Sequence, residues 1–118
     1  MASNRVVHFE ITGPEGKRLQ DFYASLFGWK VDASNPMGYG VVSAEQSGIG
    51  GGICTSAAGP KVTVYVEVAD LPAALKKAES LGGKTVLEPH QVPGGPEIAM
   101  FGDPDGNVVG LIRAGSGS

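Results

Sequence analysis

The amino-acid sequence predicts an α+β fold in which one β-α-β-β-β order of elements occurs twice, over about residues 5–55 and 62–113. Each half begins with alternating apolar and polar residues, followed by a segment with apolar residues at helical spacing. Glycines also recur at matching places, as in Gly28 and Gly83, 55 positions apart, and in Gly48 and Gly106, 58 positions apart. Because a half of about 55 residues is too small to bury a core alone, we expect the two modules to pack together, within one chain or between two. Short strands of this kind predict curved mixed sheets around a cleft.

The first repeat opens with a strand over residues 5–12, where Val7, Phe9 and Ile11 alternate with polar side chains. Residues 15–27 follow as a helix, and its apolar stripe consists of Leu19, Phe22, Tyr23, Leu26 and Phe27. Gly28 is expected to end this helix as a left-handed C′ residue. We then expect three short strands, at 29–33, 39–44 and 49–55, with Phe27 and Trp29 in the core.

The second repeat begins after a linker at 56–61, with a strand over 62–68. Asp70 can cap the next helix, which carries Pro72 in its first turn and ends at Gly82-Gly83. Strands are predicted at 84–88, 97–101 and 107–113, with His90 on a surface loop and a strong turn signal at 103–106. The sequence thus predicts one domain over residues 1–114 and a flexible tail at 115–118.

The composition excludes several classes of protein. The chain has 118 residues, 42% of them hydrophobic, and a net charge of −3, which argues against a nucleic-acid partner. No apolar run is long enough for a membrane span, and the N-terminus lacks the apolar core of a signal peptide. Cys54 is the only cysteine and cannot form an internal disulfide. These observations predict a cytoplasmic location.

Several motifs resemble those of the vicinal oxygen chelate superfamily, which includes glyoxalase I, bleomycin resistance proteins and extradiol dioxygenases. In the first repeat they are Val-Val-His-Phe-Glu-Ile at 6–11 and Phe-Tyr through Leu-Phe-Gly-Trp at 22–29. In the second they are the segments at 65–71, 81–84 and 101–107, the last reading Phe-Gly-Asp-Pro-Asp-Gly-Asn. The resemblance covers residues 5–113. It implies paired βαβββ modules, and a homodimer is expected because two chains complete the binding clefts in much of this family.

The resemblance also implies a divalent metal that acts as a Lewis acid, held by side chains from the first and last strand of each module. Carried over position by position, these ligands fall on His8, Gly52, Thr63 and Gly110. Glycine has no side chain to offer, and threonine is a poor ligand compared with imidazole or carboxylate. A catalytic metal usually needs three protein ligands, so no cofactor is expected. A displaced metal held by His8, Glu10 and Glu67 is the alternative.

Seven residues are candidates for contact with a ligand in the cleft: His8, Glu10, Tyr39, Thr63, Tyr65, Glu67 and Met100. His8 can contact a ligand or serve as a hydrogen-bonded, half-buried histidine. Glu10 and Glu67 occupy repeat-related places and are either an acid–base pair or solvated carboxylates. A tyrosine can bury its ring and keep its hydroxyl in water. Whether Met100 or the neighbouring Phe101 faces the cleft is left open by the sequence.

These residues favour a protein that binds a small apolar or aromatic molecule without a metal, as the resemblance to bleomycin resistance proteins implies. The alternative is a lyase, isomerase or dioxygenase that uses a displaced divalent metal or Glu and His as acid and base. A third possibility is an accessory module whose cavity is filled by side chains. The glycines at 48–52 lack the Gly-Lys-Ser/Thr ending of a phosphate loop and indicate instead a bulge or a close approach of backbone within a strand.

Overall fold

The computed structural model describes residues 4–116, and these form seven strands and three helices. In chain order the elements are β1 (Val6–Gly13), α1 (Gly16–Phe27), β2 (Gly40–Val42), α2 (Ala44–Ser47), β3 (Gly50–Thr55), β4 (Lys61–Val68), α3 (Leu71–Ser80), β5 (Lys84–Gln91), β6 (Glu97–Gly102) and β7 (Val108–Arg113). The chain divides into two compact units, an N-terminal unit over residues 8–63 and a C-terminal unit over the described residues 4–7 and 64–116. The α+β class is confirmed. The predicted β-α-β-β-β order is found in the second half, whereas the first half has two strands and the short helix α2 after α1. No helix among residues 4–116 is long and apolar enough to cross a membrane.

The N-terminal unit consists of strands in the order β2-β3-β1, with β1 parallel and β2 antiparallel to β3. In the parallel pair, His8 lies beside Gly50 and Glu10 beside Gly52. Paired residues share a face of the sheet and neighbours alternate. His8 and Glu10 therefore lie on one face, and Phe9 lies on the other.

Helix α1 is held on this unit by Gly16 and Gln20 rather than by its aromatic stripe. The Gln20 amide donates to the carbonyls of Ile53 and Gly38, at 2.8 and 3.1 Å, and Gly16 packs against the backbone of Thr55. These contacts fix the rotation of α1 about its own axis, so that much of its apolar stripe faces solvent. Phe22, Leu26 and Phe27 are consequently 55%, 58% and 56% exposed, so the expectation of a core position for Phe27 is wrong.

Two predicted strands of the first repeat are shorter than expected. Residues 29–33 contribute only one isolated bridge, between Asp32 and Val41. The strand predicted at 39–44 is reduced to β2, because the Asn35 side chain takes both backbone polar groups of Tyr39 and residues 44–47 turn into α2. Gly28 ends α1 as predicted, with φ at +73° and its N–H bonded to the carbonyl of Ala24.

The C-terminal unit has the strand order β4-β7-β6-β5, with β4 parallel to β7 and the other pairs antiparallel. Helix α3 begins at Leu71, directly after Asp70, whose carboxylate accepts a hydrogen bond from the Ala73 N–H at 2.9 Å. The helix covers a core formed by Leu71, Leu75, Ala99 and Leu111, with Val66, Val68, Ala74 and Phe101 packed around it. This capping confirms the predicted start of the second helix.

Strand β5 is longer than the sequence predicts. The strand extends to Gln91 and includes His90, which pairs with Ile98 and is exposed, so the predicted loop position is wrong. Two shifts of register, between Thr85 and Leu87 and between Leu87 and His90, interrupt the pairing near Pro89, which has no N–H to donate. Of the predicted tail at 115–118, residues 117–118 lie outside the described residues. Ser116 accepts a hydrogen bond from the Glu97 N–H.

Candidate functional site

A chain of hydrogen bonds joins three of the predicted site residues on one face of the N-terminal unit. The Tyr39 hydroxyl donates to Glu10 Oε2 at 3.1 Å, and His8 Nε2 lies 2.9 Å from the same hydroxyl oxygen. A tyrosine hydroxyl has one proton. With that proton directed to Glu10, the His8 Nε2–H is the donor to Tyr39. His8, Glu10 and Tyr39 thus form a connected polar group whose members are 29 and 31 residues apart in sequence.

Tyr39 reaches this position by lying over a glycine. A Cβ atom added to Gly52 would stand 1.9 Å from the Tyr39 ring, so no side chain fits at residue 52 while the ring is there. Gly51 is covered in the same way on the opposite face, by the ring of Phe9. The close approach predicted for the glycine run is confirmed, and its cause is ring packing against bare backbone.

The C-terminal unit repeats this arrangement with Tyr65 and Gly110. The two residues are register partners in β4 and β7, and a Cβ at Gly110 would stand 2.3 Å from the Tyr65 ring. Tyr65 is only 4% exposed. Each repeat therefore has a tyrosine ring over the glycine at its last-strand position.

The pairing of β6 with β7 decides which residue shares this face. Met100 is the register partner of Gly110, whereas Phe101 lies on the other face and packs against the α3 core. Thr63 and Glu67 alternate along β4 on the same face as Tyr65. Thr63 is buried and Glu67 half-buried. Met100, Tyr65 and Glu67 thus lie on the face of their unit opposite α3.

Burial controls the ionisation of two groups on the His8 face. Desolvation lowers the pKa of the His8 imidazole from its usual 6.5, so the ring is neutral at neutral pH. Cys54 lies in β3 two residues beyond Gly52, and burial, assisted by the negative charge of Glu10, raises the pKa of its thiol to about 11. The protonated thiol is a poor nucleophile.

The side chains present do not fit the metal that the resemblance implies. Gly52 and Gly110 have no donor atoms, and tyrosine rings occupy the space above both. Nε2 of His8 is engaged with the Tyr39 hydroxyl. Across residues 4–116, no three His, Cys, Asp or Glu side chains come close enough to hold a metal ion. The alternative set of His8, Glu10 and Glu67 therefore does not form a metal site either.

The sequence analysis did not predict that the tyrosine rings pack directly on the backbone of Gly52 and Gly110. It identified Gly52 and Gly110 as positions without a ligand, and it identified Tyr39 and Tyr65 separately as candidates. The available signal was the occurrence of glycine at repeat-related strand positions together with one tyrosine in each repeat.

Comparison with known proteins gives one family and two sets of relatives. The family model for the Glyoxalase/Bleomycin resistance protein/Dioxygenase superfamily matches residues 5–111. The anthracycline biosynthesis proteins DauV of Streptomyces sp. (strain C5) and DnrV of Streptomyces peucetius are each 26% identical over 128 aligned positions. These alignments cover 91% of this chain and 46% of each relative, so the chain spans about half the length of the curated relatives it matches.

Solved structures share the fold at low identity. Methylmalonyl-CoA epimerase from Mycobacterium tuberculosis matches with a TM-score of 0.65 and 16% identity, over 96% of this chain and 91% of that one. A glyoxalase/bleomycin resistance protein/dioxygenase superfamily member from Vibrio splendidus 12B01 matches with a TM-score of 0.65 and 17% identity, over 94% and 99%. Likeness at this level of identity shows a common fold.

Proposed function

The chain belongs to the Glyoxalase/Bleomycin resistance protein/Dioxygenase superfamily, and on that premise we propose that it binds a small apolar or aromatic molecule without using a metal ion. The proposed contact surface is the face of the N-terminal unit that carries His8, Glu10 and Tyr39. In the C-terminal unit, the half-buried Glu67 and Met100 offer further contacts. Thr63 and Tyr65, which share this face of β4, are buried and would act by packing.

The observation that carries this proposal is the pair of tyrosine rings over Gly52 and Gly110. Where the resemblance implies a metal ligand at residue 52, this chain has the ring and hydroxyl group of the half-buried Tyr39. The equivalent ring of Tyr65 is buried and stabilises the second unit by packing. A tyrosine combines a large apolar ring with one hydrogen-bonding group, and Met100 adds an adaptable apolar side chain. Such a surface suits a flat apolar molecule better than a hydrated ion.

The named relatives support an aromatic ligand. DauV and DnrV are described as anthracycline biosynthesis proteins, and anthracyclines are compounds with fused aromatic rings. We propose the same chemical class for this chain, namely a planar molecule with fused rings and a few oxygen substituents.

The test is a titration with dihydroxyanthraquinone, a neutral fused-ring probe, followed by isothermal calorimetry before and after treatment with a chelator. We expect equal affinity in both samples. Tyr39→Phe keeps the ring and serves as the matched control for Tyr39→Ala, which is expected to weaken binding by about tenfold because ring contacts are lost. Binding that requires added metal, or that is unchanged in Tyr39→Ala, would refute the proposal.

A homodimer is part of this proposal, because two chains complete the binding clefts in much of the superfamily to which the chain belongs. Sedimentation equilibrium tests it, and a monomer at micromolar concentration would contradict it.

The cytoplasmic location expected from the lone Cys54 stays a prediction.

A second candidate function is acid–base catalysis, and the hydrogen-bonded chain of His8, Tyr39 and Glu10 favours it specifically. A neutral imidazole can accept a proton from a substrate, and Glu10, acting through the Tyr39 hydroxyl, would stabilise the imidazolium that forms. Return of that proton to another position of the same molecule would be an isomerisation.

Proton NMR in D2O tests this candidate with hydroxyacetone as the probe. We expect deuterium to enter the probe faster with the native protein than with Glu10→Gln. Equal rates in the two proteins would exclude a catalytic contribution from this group.

A further inference from the structure

We propose that the groove between α3 and the turn joining β6 to β7 is a second small-molecule site, which takes an aromatic molecule bearing one anionic group. The groove is an open depression with a volume of about 330 Å³, and it lies entirely within the C-terminal unit. Leu111 and Phe101 belong to the sheet face beneath α3, opposite the face of Tyr65 and Met100. The site is therefore independent of the proposed function described above.

The groove exists because the second helix carries small residues where the first carries large ones. Aligning Gly83 with Gly28 places Ala74, Lys77, Ala78 and Leu81 at the positions of Leu19, Phe22, Tyr23 and Leu26. In the N-terminal unit, the ring of Tyr23 fills the space beside the helix and lies 6.3 Å from Trp29 and 6.1 Å from Phe27, between ring centroids. The methyl groups of Ala74 and Ala78 leave the corresponding space in the second repeat open.

The walls of this groove are almost entirely apolar. Ala74, Ala78 and Leu81 of α3 line one side, and Phe101 and Pro104 are among the residues that line the rest. Leu81 is 69% exposed, a high value for a leucine that forms part of a cavity wall. An apolar ligand would remove this surface from water, which provides the driving force for binding.

Two charged residues line the groove, and only one of them has its charged group open to a ligand. The Asp103 carboxylate accepts hydrogen bonds from the backbone N–H groups of Asp105 and Asn107 and from the Asn107 side chain, at 3.0, 2.8 and 2.9 Å. It is thus committed to the turn. Lys77 forms no ion pair with any of residues 4–116, and its flexible stem can follow the apolar wall while the ammonium group reaches the ligand.

The size and charge of the groove together define the ligand class. A volume of about 330 Å³ is at the lower limit of small-molecule sites, enough for two or three rings. The ammonium group of Lys77 selects one anionic substituent at the helix side. A second anionic group would approach the Asp103 carboxylate and be repelled.

Anilinonaphthalene sulfonate is the probe for this site, and phenylnaphthylamine, which shares its ring system but lacks the sulfonate, is the matched neutral probe. Binding is measured by fluorescence titration and located by amide chemical shifts in two-dimensional NMR spectra. We expect the largest shifts at residues 81–83 and 101–104, and weaker binding of the neutral probe.

Two variants and one control complete the test. Ala78→Phe refills the groove and is expected to weaken binding of the sulfonate by at least about tenfold. Lys77→Met keeps the stem and is expected to weaken it about two- to fivefold, as for other exposed charge pairs, without changing the neutral probe. Phe22→Ala, at the repeat-related position of α1, is expected to leave both affinities unchanged.

Any of three results would overturn the proposal. The first is amide shifts concentrated on α1 or around His8 and Gly52, and the second is equal affinity of both probes for the native protein. The third is unchanged sulfonate binding in Lys77→Met, a surface substitution that is expected to leave the fold intact. Because Tyr39 lies outside the groove, Tyr39→Ala would still bind the sulfonate even if the function proposed for the tyrosine faces failed.

Discussion

Single residues determine the character of the candidate site, and the pairing of a tyrosine ring with a strand glycine is the decisive contact. Gly52 and Gly110 allow Tyr39 and Tyr65 to lie directly on the backbone. The resemblance to the superfamily implies metal ligands at the same two positions. Glycine at these positions therefore offers no donor atom to a metal and leaves room for a tyrosine ring, which is half-buried at Tyr39 and buried at Tyr65.

Substitution of Gly52 by alanine should destabilise the protein, because the new Cβ would overlap the Tyr39 ring. We expect the free energy of unfolding in urea to fall by about 1–3 kcal/mol, the usual range for overpacking. Gly50→Ala is the matched control in the same strand, since its Cβ would meet only backbone atoms, at 3.7 Å or more. Tyr39→Ala should relieve the clash, so a double mutant as unstable as the sum of the single changes would contradict this explanation.

His8 makes stability depend on pH. Its pKa is lowered in the folded state by burial, so the unfolded chain binds a proton more readily than the folded protein does. Stability contributed by neutral His8 is therefore complete above pH 6.5 and decreases as the pH falls below that value. We expect His8→Gln, which keeps a donor near Tyr39, to lose stability less steeply across this window.

Urea unfolding as a function of pH measures this effect. His90→Gln is the control, because His90 is exposed on β5. Parallel pH profiles for the native protein and His8→Gln would show that burial of His8 has no energetic consequence.

At the scale of elements, the two helices of the repeat are fixed by different means. Asp70 caps α3 with a hydrogen bond to the Ala73 N–H, whereas Glu15 at the start of α1 makes no such bond. Helix α1 is instead fixed by the hydrogen bonds of Gln20 and the close approach of Gly16. Both repeats begin with a strand followed by a helix, but different contacts hold the two helices in place.

Alanine substitutions at the two N-cap residues should show which helix depends on a capping hydrogen bond. Asp70→Ala is expected to lower the free energy of unfolding by about 1 kcal/mol, the usual cost of a lost cap. Glu15→Ala should have little effect by comparison, since no cap bond is lost. Chemical denaturation followed by circular dichroism compares the two, and equal losses would indicate that the Asp70 hydrogen bond does not stabilise α3.

At the scale of the whole molecule, the lack of a metal-binding group of side chains among residues 4–116 predicts that divalent metals do not change the stability of the protein. Added Zn²⁺ or Ni²⁺ should leave the midpoint of thermal unfolding within about 1 °C of that of the chelator-treated protein, because an ion stabilises a protein only by binding its folded state. Elemental mass spectrometry on tag-free protein never exposed to chelator is the complementary measurement. Near-stoichiometric zinc, nickel, iron or manganese would overturn our reading of Gly52, Thr63 and Gly110.

The exposed surface of the molecule distinguishes α1 from α3 further. Helix α1 exposes Phe22, Leu26 and Phe27, while α3 borders the apolar groove. The exposed side chains of α1 arise because its apolar stripe is wider than the surface that the helix covers, whereas the groove at α3 arises because Ala74 and Ala78 are small. Periodicity identifies the stripe, but the contacts of Gly16 and Gln20 decide which part of it is buried.

The sequence by itself determined the α+β class, the strand and helix that begin each repeat, the end of α1 at Gly28, the start of α3 after Asp70, and the shared face of His8 and Glu10. These features follow from alternation, helical spacing and local backbone preference, which are written into neighbouring residues. The sequence also showed that Gly52 and Gly110 offer no side chain to a metal, once the resemblance indicated that these are the ligand positions.

Only the tertiary structure decided that Tyr39 joins His8 to Glu10, that rings fill the space above the two glycines, and that Met100 rather than Phe101 shares the Tyr65 face. It also shortened the strand at 39–44, because the Asn35 side chain takes the backbone polar groups of Tyr39 and residues 44–47 form α2. The segment at 29–33 kept a single bridge. The physical reason is one of range. Local patterns specify the face on which a residue lies, but which distant side chain fills the space above it depends on packing between segments some 30 or more residues apart.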